Sequence, residues 1–337
     1  TIEAEYAVGE YDIQILSANQ SNGLLTFLNQ SGYRIPVDAV SVLNDYIRGG
    51  MKFFVARVNL ARHQAGVAGG QGRYLTPLQI SMRSEKFMLP IRLGTVNARG
   101  DQELFIFAIT RKGRVEGANY ATVKIPADVN VPPFTEKLFG RFYQDMFARE
   151  KQMTPIPAMF LEYAWDLSWC DPCAANPPSV EDLQSLGVDW LTPQSRPGSS
   201  SGGLRPVPIP QPIPQNGVVQ PSIVPLPQPL PLPVFPPQPQ AIDAFITRLH
   251  LRYNKVSFPQ DLQFRVTDNR ENFQGRFIIQ QPYLGEMVCN EAQAYLQQVK
   301  AREQNEAIAL SRLTGWSIDY IRRQQAVYPG KPMHERR

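Results

Sequence analysis

The hydrophobic positions of the first 160 residues repeat with a helical period in some stretches and a strand-like period in others, which predicts a mixed fold. Helical spacing predicts helices in three segments: 21–32, 36–50 and 133–150. Stretches rich in β-branched and aromatic residues predict strands at 11–18, 52–60, 75–82, 87–96, 103–110, 120–126 and 158–167. Turn residues such as those at 99–101 separate some of these strands, which favours antiparallel pairing over parallel crossovers.

The same two periods return after residue 240. Strands are predicted at 244–254, 261–268 and 275–282, and one long helix is predicted over 290–315. We expect Gly315 to end this helix and Ser317 to cap a short last helix. The patterns together predict an α+β fold: a mixed, mainly antiparallel sheet with flanking helices, a proline-rich extended strap, and a C-terminal unit of strands and a long helix packed on the first module.

The proline-rich segment separates the two parts of the chain. No charged residue occurs from Pro206 to Ile242, and proline recurs at nearly every second position in much of this stretch. Such a sequence excludes helix and central strand and favours polyproline II or extended chain. We therefore divide the chain into an α+β module at 1–191, a strap or linker at 192–240, and C-terminal strands with a helical hairpin at 241–337.

Two interpretations of this segment stay open. A semi-rigid linker is the simpler one. However, Ile, Val, Leu and Phe fill the gaps between prolines, whereas an inert linker uses Gly, Ser or charged residues, and polyproline II loses little entropy when it docks on a protein partner. The candidate partner contacts are Ile209, Ile213, Leu226, Leu230, Leu232 and Phe235.

Composition and charge narrow the classes of function. The 337 residues are 43% hydrophobic and 19% charged, with 31 prolines and a net charge of +4, which is typical of a globular chain with one substantial core or two modest ones. No apolar run approaches the ~18–20 residues of a membrane span. The scattered basic residues argue against a nucleic-acid partner. Three histidines leave few groups for acid–base or metal chemistry, so we expect no cofactor.

The cysteines raise the possibility of redox chemistry. Cys170 and Cys173 stand in SWCDPCAANPP, a Trp-Cys-x-Pro-Cys frame typical of thiol–disulfide oxidoreductases, and Cys289 follows far along the chain. A redox site of this kind needs a helix that begins at the first cysteine and activates its thiol. Because Pro177 and Pro178 prevent a continuing helix, the oxidoreductase is the alternative interpretation and not the leading one.

The same cysteines allow two further interpretations. Cys170 and Cys173 are half of a tetrahedral zinc site, but the chain has no second paired motif. A structural disulfide from one of the pair to Cys289 is the simpler interpretation, and closing so long a loop is worth about 4–5 kcal/mol in the chain-entropy model. Oxidised cysteines would imply an extracytoplasmic setting. Three is an odd number, which leaves three alternatives for one of the cysteines: a bond inside the motif, a bond to another chain, or a bond to a segment outside this sequence.

The remaining motifs are weaker indications of a binding or catalytic site. Ser311, Gly315 and Ile321 in SRLTGWSIDYIRR stand at the offsets of a helix-turn-helix, with Arg322 and Arg323 following. An ordinary helical hairpin is favoured, because a DNA-reading unit normally belongs to a compact three-helix core. AGGQG lacks the Gly-Lys-Ser/Thr ending of a phosphate loop. The carboxylates at positions 162 and 166 lie in a predicted strand and turn and do not predict an acid/base pair.

Several stretches resemble a family of uncharacterised secreted or envelope-associated bacterial proteins, domain of unknown function 2330. They are VGEYDIQILSANQSNGLLTFLNQSGYRIP, ANYATVKIP, SWCDPCAANPP, FITRLHLRYNKVSFPQDLQFRVTDNRENFQGRFII and LTGW. The resemblance implies an envelope or extracellular protein made with a signal peptide. It also implies a further N-terminal portion of the same precursor with its own cysteines. It supplies no catalytic residues.

The sequence therefore leads us to expect a non-enzymatic extracytoplasmic protein with a structural or protein-interaction role, such as a subunit of a cell-envelope or surface assembly. Three features motivate this expectation: the apolar residues of the strap, the use of cysteine, and the lack of a convincing catalytic set in the sequence. The alternatives are a thiol–disulfide oxidoreductase and, with less support, a helix-turn-helix protein that binds nucleic acid.

Overall fold

The computed structural model describes residues 1–66, 74–169, 178–191, 242–283, 285 and 291–327. The chain divides into a larger unit, Thr1–Asp166 with Ala244–Arg337, and a smaller unit, Leu167–Asp243. The combination of helices with mostly antiparallel sheets confirms the predicted α+β class.

The described strands all belong to the larger unit: β1 (Ile2–Val8), β2 (Tyr11–Leu16), β3 (Phe53–Val58), β4 (Met88–Leu89), β5 (Gln102–Thr110), β6 (Val115–Gly117), β7 (Ala121–Lys124), β8 (Val129–Asn130), β9 (Ala158–Asp166), β10 (Phe245–Tyr253), β11 (Leu262–Val266), β12 (Phe273–Gln274) and β13 (Phe277–Ile278). Its helices are α1 (Ser21–Gln30), α2 (Ala39–Arg48), α3 (Leu60–Gly66), α4 (Arg92–Val96), a 3-10 helix (Pro133–Leu138), α5 (Phe139–Met153), α7 (Ala292–Thr314) and α8 (Ile318–Val327). The smaller unit contains α6 (Val180–Ser185).

The N-terminal part is a three-stranded antiparallel sheet with β2 in the middle. The helices α1 and α2 place their apolar positions in one core with this sheet, as their spacing predicts. Gly32 follows the end of α1 with a φ of +84°, a left-handed conformation that favours glycine. The buried members of this core are Leu16, Leu24, Leu28, Ala39, Val42, Leu43, Tyr46 and Phe53.

The central sheet is built around β10, which pairs antiparallel with β5 on one side and with β9 on the other. β12 and β7 both pair with β9, β7 in the parallel direction. Side chains alternate between the two faces of a strand. The odd-numbered residues of β10 therefore enter one core, which includes Phe245, Leu249, Leu251 and Tyr253. The even-numbered residues Arg248, His250 and Arg252 lie on the opposite face.

The second core joins α5 to the C-terminal helices and to the opposite face of the central sheet. Its buried side chains include Phe142, Met146, Phe147, Phe160, Leu310, Leu313, Trp316 and Ile321. Gly315, with a φ of +76°, ends α7, and the Ser317 hydroxyl accepts a hydrogen bond from the Tyr320 N–H at 3.3 Å. Both helix boundaries expected from the sequence are confirmed.

In the smaller unit, α6 begins with a reciprocal cap. The Ser179 hydroxyl accepts from the Asp182 N–H, and the Asp182 carboxylate accepts from the Ser179 N–H, each at 3.0 Å. Leu183 is buried behind this cap. Among the helices in the described ranges of both units, none combines the length and the apolar character needed to cross a membrane.

Three predicted strands are wrong in whole or in part. Residues 75–82 are described without regular secondary structure, and 87–96 contains only β4 before α4 begins. Pro77 and Pro90 lack the N–H that a continuous strand needs. Only two residues of 275–282, those of β13, are a strand, and they pair in parallel with β8. β1, which the sequence analysis missed, is exposed on both faces and lacks the alternation that identifies a strand.

Asp261 fixes α4 against the N-terminal core. One carboxylate oxygen, Oδ1, accepts hydrogen bonds from the Tyr46 hydroxyl at 2.7 Å and from the N–H groups of Ile91 and Arg92 at 2.8 and 3.1 Å. Burial, followed by the Asp261 hydrogen bond, raises the pKa of Tyr46. Asp261, in the loop before β11, therefore accepts hydrogen bonds from a donor on α2 and from two donors at the start of α4.

Replacing this carboxylate tests its contribution. We expect Asp261→Ala to lower the free energy of unfolding by about 2–4 kcal/mol, because three donors lose a charged acceptor. Urea denaturation followed by circular dichroism measures the change. The matched control is Asp268→Ala, at an exposed position, which should stay within about 0.5 kcal/mol of wild type. Equal effects of the two substitutions would contradict this role of Asp261.

Candidate functional site

Glu162 lies at a β-bulge in the central sheet. Arg248 pairs with Tyr163 and Leu249 pairs with Leu161, so Glu162 is the extra residue on β9. Phe160 pairs with His250 and therefore lies on the same sheet face. Glu162 follows Phe160 by two residues, and its carboxylate lies on this face, which also carries Arg248.

The backbone of the bulge is held by a glycine. The Gly275 N–H donates to the Glu162 carbonyl at 2.8 Å, which satisfies the group that the bulge leaves unpaired. A Cβ at position 275 would lie 2.4 Å from Ile125 Cδ1 and 3.1 Å from the Glu162 carbonyl oxygen. A larger residue would therefore push the two chains apart at the point where the bulge is fixed.

The carboxylate of Glu162 is the centre of a buried group of side chains, Tyr143, Glu162, Arg248 and His250, which we call the Glu162 cluster. Oε1 accepts a short hydrogen bond from the Tyr143 hydroxyl and lies 2.9 Å from His250 Nδ1. Oε2 lies 2.9 Å from Arg248 Nε in an ion pair without the alignment of a hydrogen bond. Three elements, α5, β9 and β10, thus meet at one carboxylate.

His250 Nδ1 has two close polar neighbours, Glu162 Oε1 at 2.9 Å and the Tyr143 hydroxyl oxygen at 3.0 Å. Nε2 makes no hydrogen bond in the described structure, and Glu103 Oε1 lies 3.9 Å away. Burial, followed by the hydrogen bond to Glu162, raises the pKa of Tyr143, so its hydroxyl stays protonated as the donor.

Two phenylalanine rings enclose the imidazole. The His250 ring centroid lies 3.6 Å from that of Phe147 and 4.1 Å from that of Phe105, with interplanar angles of 19° and 21°. His250 is only 1% exposed. A carboxylate that orients a histidine is the inner half of many acid–base and metal sites. Here the two rings cover the imidazole on both sides, so the cluster forms an ionic core inside the protein. Over the described ranges, no group of three or more His, Cys, Asp and Glu side chains is placed to hold a metal.

An exposed aromatic edge lies directly beside the cluster. Phe105 and Phe107 of β5 are 40% and 60% exposed. The Arg248 guanidinium lies 5.0 Å from the centroid of Phe105 and 5.5 Å from that of Phe107. We call Phe105, Phe107, Arg248 and the outer backbone edge of β5 the β5 surface. Because Glu162 pairs with Arg248, the buried cluster positions the cation of this surface.

The residues that the sequence analysis selected are not among those of the cluster. The candidate disulfide residues and strap contacts all lie outside the described residues: Cys170, Cys173, Cys289, Ile209, Ile213, Leu226, Leu230, Leu232 and Phe235. Their roles stay predictions. The carboxylates of Glu162 and Asp166 have separate partners, and Asp166 Oδ2 lies 2.8 Å from Arg270 Nε.

The residues of the helix-turn-helix motif contribute to packing in this structure. Ile321 is fully buried in the second core, and Trp316 Nε1 donates to Asp145 Oδ2 of α5 at 2.6 Å. Arg141 of α5 lies over the Trp316 ring at 5.2 Å. The turn between α7 and α8 is therefore held against α5.

Sequence reasoning missed the Glu162 cluster. One signal was present: Arg248, His250 and Arg252 alternate with apolar residues along the predicted strand, which puts three basic side chains on one face. The sequence contains no signal for their partners, because Tyr143 and Glu162 lie on other elements.

The bulged central sheet, its ionic core and its aromatic edge define a mainly antiparallel α+β protein with an exposed edge strand. The chain belongs to the bacterial family described as "Uncharacterized protein conserved in bacteria (DUF2330)", which matches residues 1–265. All four residues of the Glu162 cluster lie within the matched part. Comparison with curated proteins and with solved structures gives no match.

Proposed function

We propose that this chain is a non-enzymatic extracytoplasmic protein that binds other proteins, as a structural part or subunit of a cell-envelope or surface assembly. The observation that carries the proposal is the β5 surface. Phe105 and Phe107 are exposed on the same face of an edge strand, beside Arg248, whose charge pairs with the buried Glu162 carboxylate. Aromatic residues and arginine are enriched where protein interfaces bind most strongly.

The energetics of exposure support a covering partner. An edge strand with large apolar side chains invites uncontrolled pairing, and natural proteins normally protect such edges. Covering Phe105 and Phe107 removes apolar area from water, which is favourable by roughly 25 cal/mol per Å². The proline-rich segment and the cysteines are consistent with this proposal through their composition alone.

Site-specific photocrosslinking in the native bacterium tests the proposal. A photoreactive phenylalanine analogue at position 107 should give protein adducts, and these should fractionate with the envelope or the medium. The matched control is the same analogue at position 256, which is 83% exposed in the turn after β10. Adducts from position 107 no stronger than those from position 256, or a cytosolic protein, would contradict the proposal.

The same sample separates this function from the oxidoreductase alternative. Non-reducing peptide mapping reads the bonding of Cys170, Cys173 and Cys289. A stable bond to Cys289 agrees with a structural role, whereas a bond between Cys170 and Cys173 that exchanges readily with added dithiol favours the enzyme.

A further inference from the structure

We infer that a second copy of this chain pairs with the outer edge of β5, so that the two central sheets join across a two-fold axis. The inference deepens the proposed function, on which it rests, by naming one partner of the β5 surface. It follows from the unpaired backbone, the sequence and the charges of this one strand.

Among the described residues, the outer edge of β5 has no backbone partner. β10 pairs with β5 over all nine residues, from Gln102 opposite Tyr253 to Thr110 opposite Phe245. Within the described ranges no second strand pairs with β5, and no backbone hydrogen bond from a loop reaches this strand. An edge of this length presents a row of donors and acceptors that a further strand can use.

Other edges of the described sheets are short or carry charge. On the opposite side of the central sheet, β12 has two residues and β7 has four. In the N-terminal sheet, β1 carries Glu3 and Glu5, which discourage edge pairing. β5, with the sequence QELFIFAIT, has one charged residue and no proline, glycine or lysine. The second edge of the N-terminal sheet, β3, has six residues and carries Arg57. β5 is therefore the longest edge strand of the described sheets, with nine residues and a single charge near one end.

The strand is complementary to itself in an antiparallel register centred on Ile106. In that register Ile106 lies opposite Ile106 of the second copy, and Phe105 of each copy lies opposite Phe107 of the other. Residues of equal parity face each other, so the exposed face of one strand continues the exposed face of the other. The result is two neighbouring cross-strand pairs of phenylalanine rings, and such aromatic pairs stabilise sheets.

Charge also fits this register. Glu103 lies opposite the apolar Ile109, and the two copies of Glu103 are at opposite ends of the pair. Asp101 and Arg111 flank the strand and have opposite charges, so the antiparallel register brings the acidic end of one copy toward the basic end of the other, although Asp101 also pairs with Lys151 within each copy. No like charges face each other, whereas a register that paired Glu103 with itself would be penalised.

The Glu162 cluster makes the cation compatible with burial. Covering the phenylalanine rings also shields the Arg248 guanidinium, which would be costly for an isolated charge. Glu162 Oε2, 2.9 Å from Arg248 Nε, already balances it within each copy. A second copy can therefore exclude water from the β5 surface while Arg248 keeps Glu162 as its ion-pair partner.

Sedimentation velocity of the purified full chain over a range of concentrations tests the inference. Wild type should show a monomer–dimer equilibrium, and Phe107→Lys should raise the dimer Kd at least tenfold, since a lysine on an edge strand blocks pairing. Val256→Lys, at an exposed turn position, should leave the Kd unchanged. Circular dichroism of both variants should match that of wild type.

A disulfide experiment fixes the register. In the double variant Gln102→Cys and Thr110→Cys, the thiol at position 102 of one copy faces the thiol at position 110 of the other. Peptide mapping should therefore find a disulfide bond between positions 102 and 110. Within one chain the two positions are about 27 Å apart at opposite ends of the strand, so the bond must be intermolecular. The single variant Gln102→Cys, which has no thiol at position 110, is the control and should not form this bond.

Three results would overturn the inference: a monomer at every concentration, a dimer unaffected by Phe107→Lys, or no bond between positions 102 and 110. A monomer that still crosslinks to a different protein through position 107 would also overturn it and leave the proposed function standing. Loss of all specific crosslinks from position 107, including those to a second copy, would instead remove the proposed function.

Discussion

Glu162→Ala should lower the free energy of unfolding by about 3–5 kcal/mol, the largest effect that we expect from a single substitution in this chain. Removing one partner of a buried ionic group leaves the other charges and donors uncompensated. Here the Tyr143 hydroxyl, His250 Nδ1 and Arg248 Nε all face this one carboxylate. The Glu162 side chain is only 5% exposed, so water cannot replace it without local opening.

Two further variants separate charge from hydrogen bonding. Glu162→Gln keeps the shape and an acceptor for Tyr143 but removes the negative charge opposite Arg248. Because the Arg248 side chain is 36% exposed, it can turn toward solvent, so this variant should lose less stability than Glu162→Ala. Tyr143→Phe combined with Glu162→Ala should lose less than the sum of the single losses, because both remove the same hydrogen bond.

The matched control for Glu162→Ala is Asp12→Ala, which removes the β2 carboxylate of an exposed ion pair with Arg62 of α3. Exposed ion pairs contribute about 0–1 kcal/mol. Urea denaturation at constant pH measures all five variants, including Tyr143→Phe alone. A loss at Glu162→Ala no larger than that of the control would show that the cluster does not stabilise the sheet.

Local patterns predicted most of the helices and the long strands of this fold. The alternation in β10 and the apolar run in β9 identified both strands, and helical spacing identified α1, α2 and α7. Their order in the sheet is non-local, because β10 lies between β5 and β9 although it follows them by some 80 residues or more. The exposed edge could not be predicted, since a strand's sequence does not say how many neighbours it has.

The failed predictions have the same physical origin. Residues 87–96 have the apolar content of a strand, but Pro90 interrupts it and the distant Asp261 accepts the N–H groups of Ile91 and Arg92, which starts α4. Glu162 reads as part of a regular strand, and the side chains that surround its carboxylate come from α5 and β10, which are distant in the sequence. The candidate site therefore depended on contacts that no local pattern contains.

Glu306→Gln should make the chain more stable than wild type above pH 7, by on the order of 3 kcal/mol, and leave it nearly unchanged at pH 4.5. Glu306 is buried on α7 with 2% exposure. Burial, partly offset by Arg302 and reinforced by Glu303, raises the pKa of Glu306 from 4.5 to about 7. The folded state therefore holds a proton that the unfolded state releases near pH 4.5.

The sign follows from proton linkage. Between pH 4.5 and about 7 the folded chain binds more protons at this position than the unfolded chain, so stability falls as pH rises through that window. Below this pH window the Glu306 carboxyl is protonated in both states and does not change the free energy of unfolding. Above the window the folded state must hold an ionised carboxylate in a buried position, which is unfavourable. Each unit of difference in pKa corresponds to about 1.4 kcal/mol. Glutamine stays neutral, so the variant lacks this pH-dependent loss.

Arg302 and Glu303 provide the variants that test the cause. Arg302 Nε lies 3.3 Å from Glu306 Oε1 and favours the ionised form. Arg302→Gln should therefore raise the pKa of Glu306 further and move the loss of stability to higher pH, while Glu303→Gln should move it to lower pH. Urea denaturation at intervals from pH 4.5 to 8.5 measures each difference from wild type, in which all other titrating groups cancel. A difference between Glu306→Gln and wild type that stays constant across this range would show that Glu306 does not titrate in it, and that burial of its carboxyl is compensated by a partner of fixed charge.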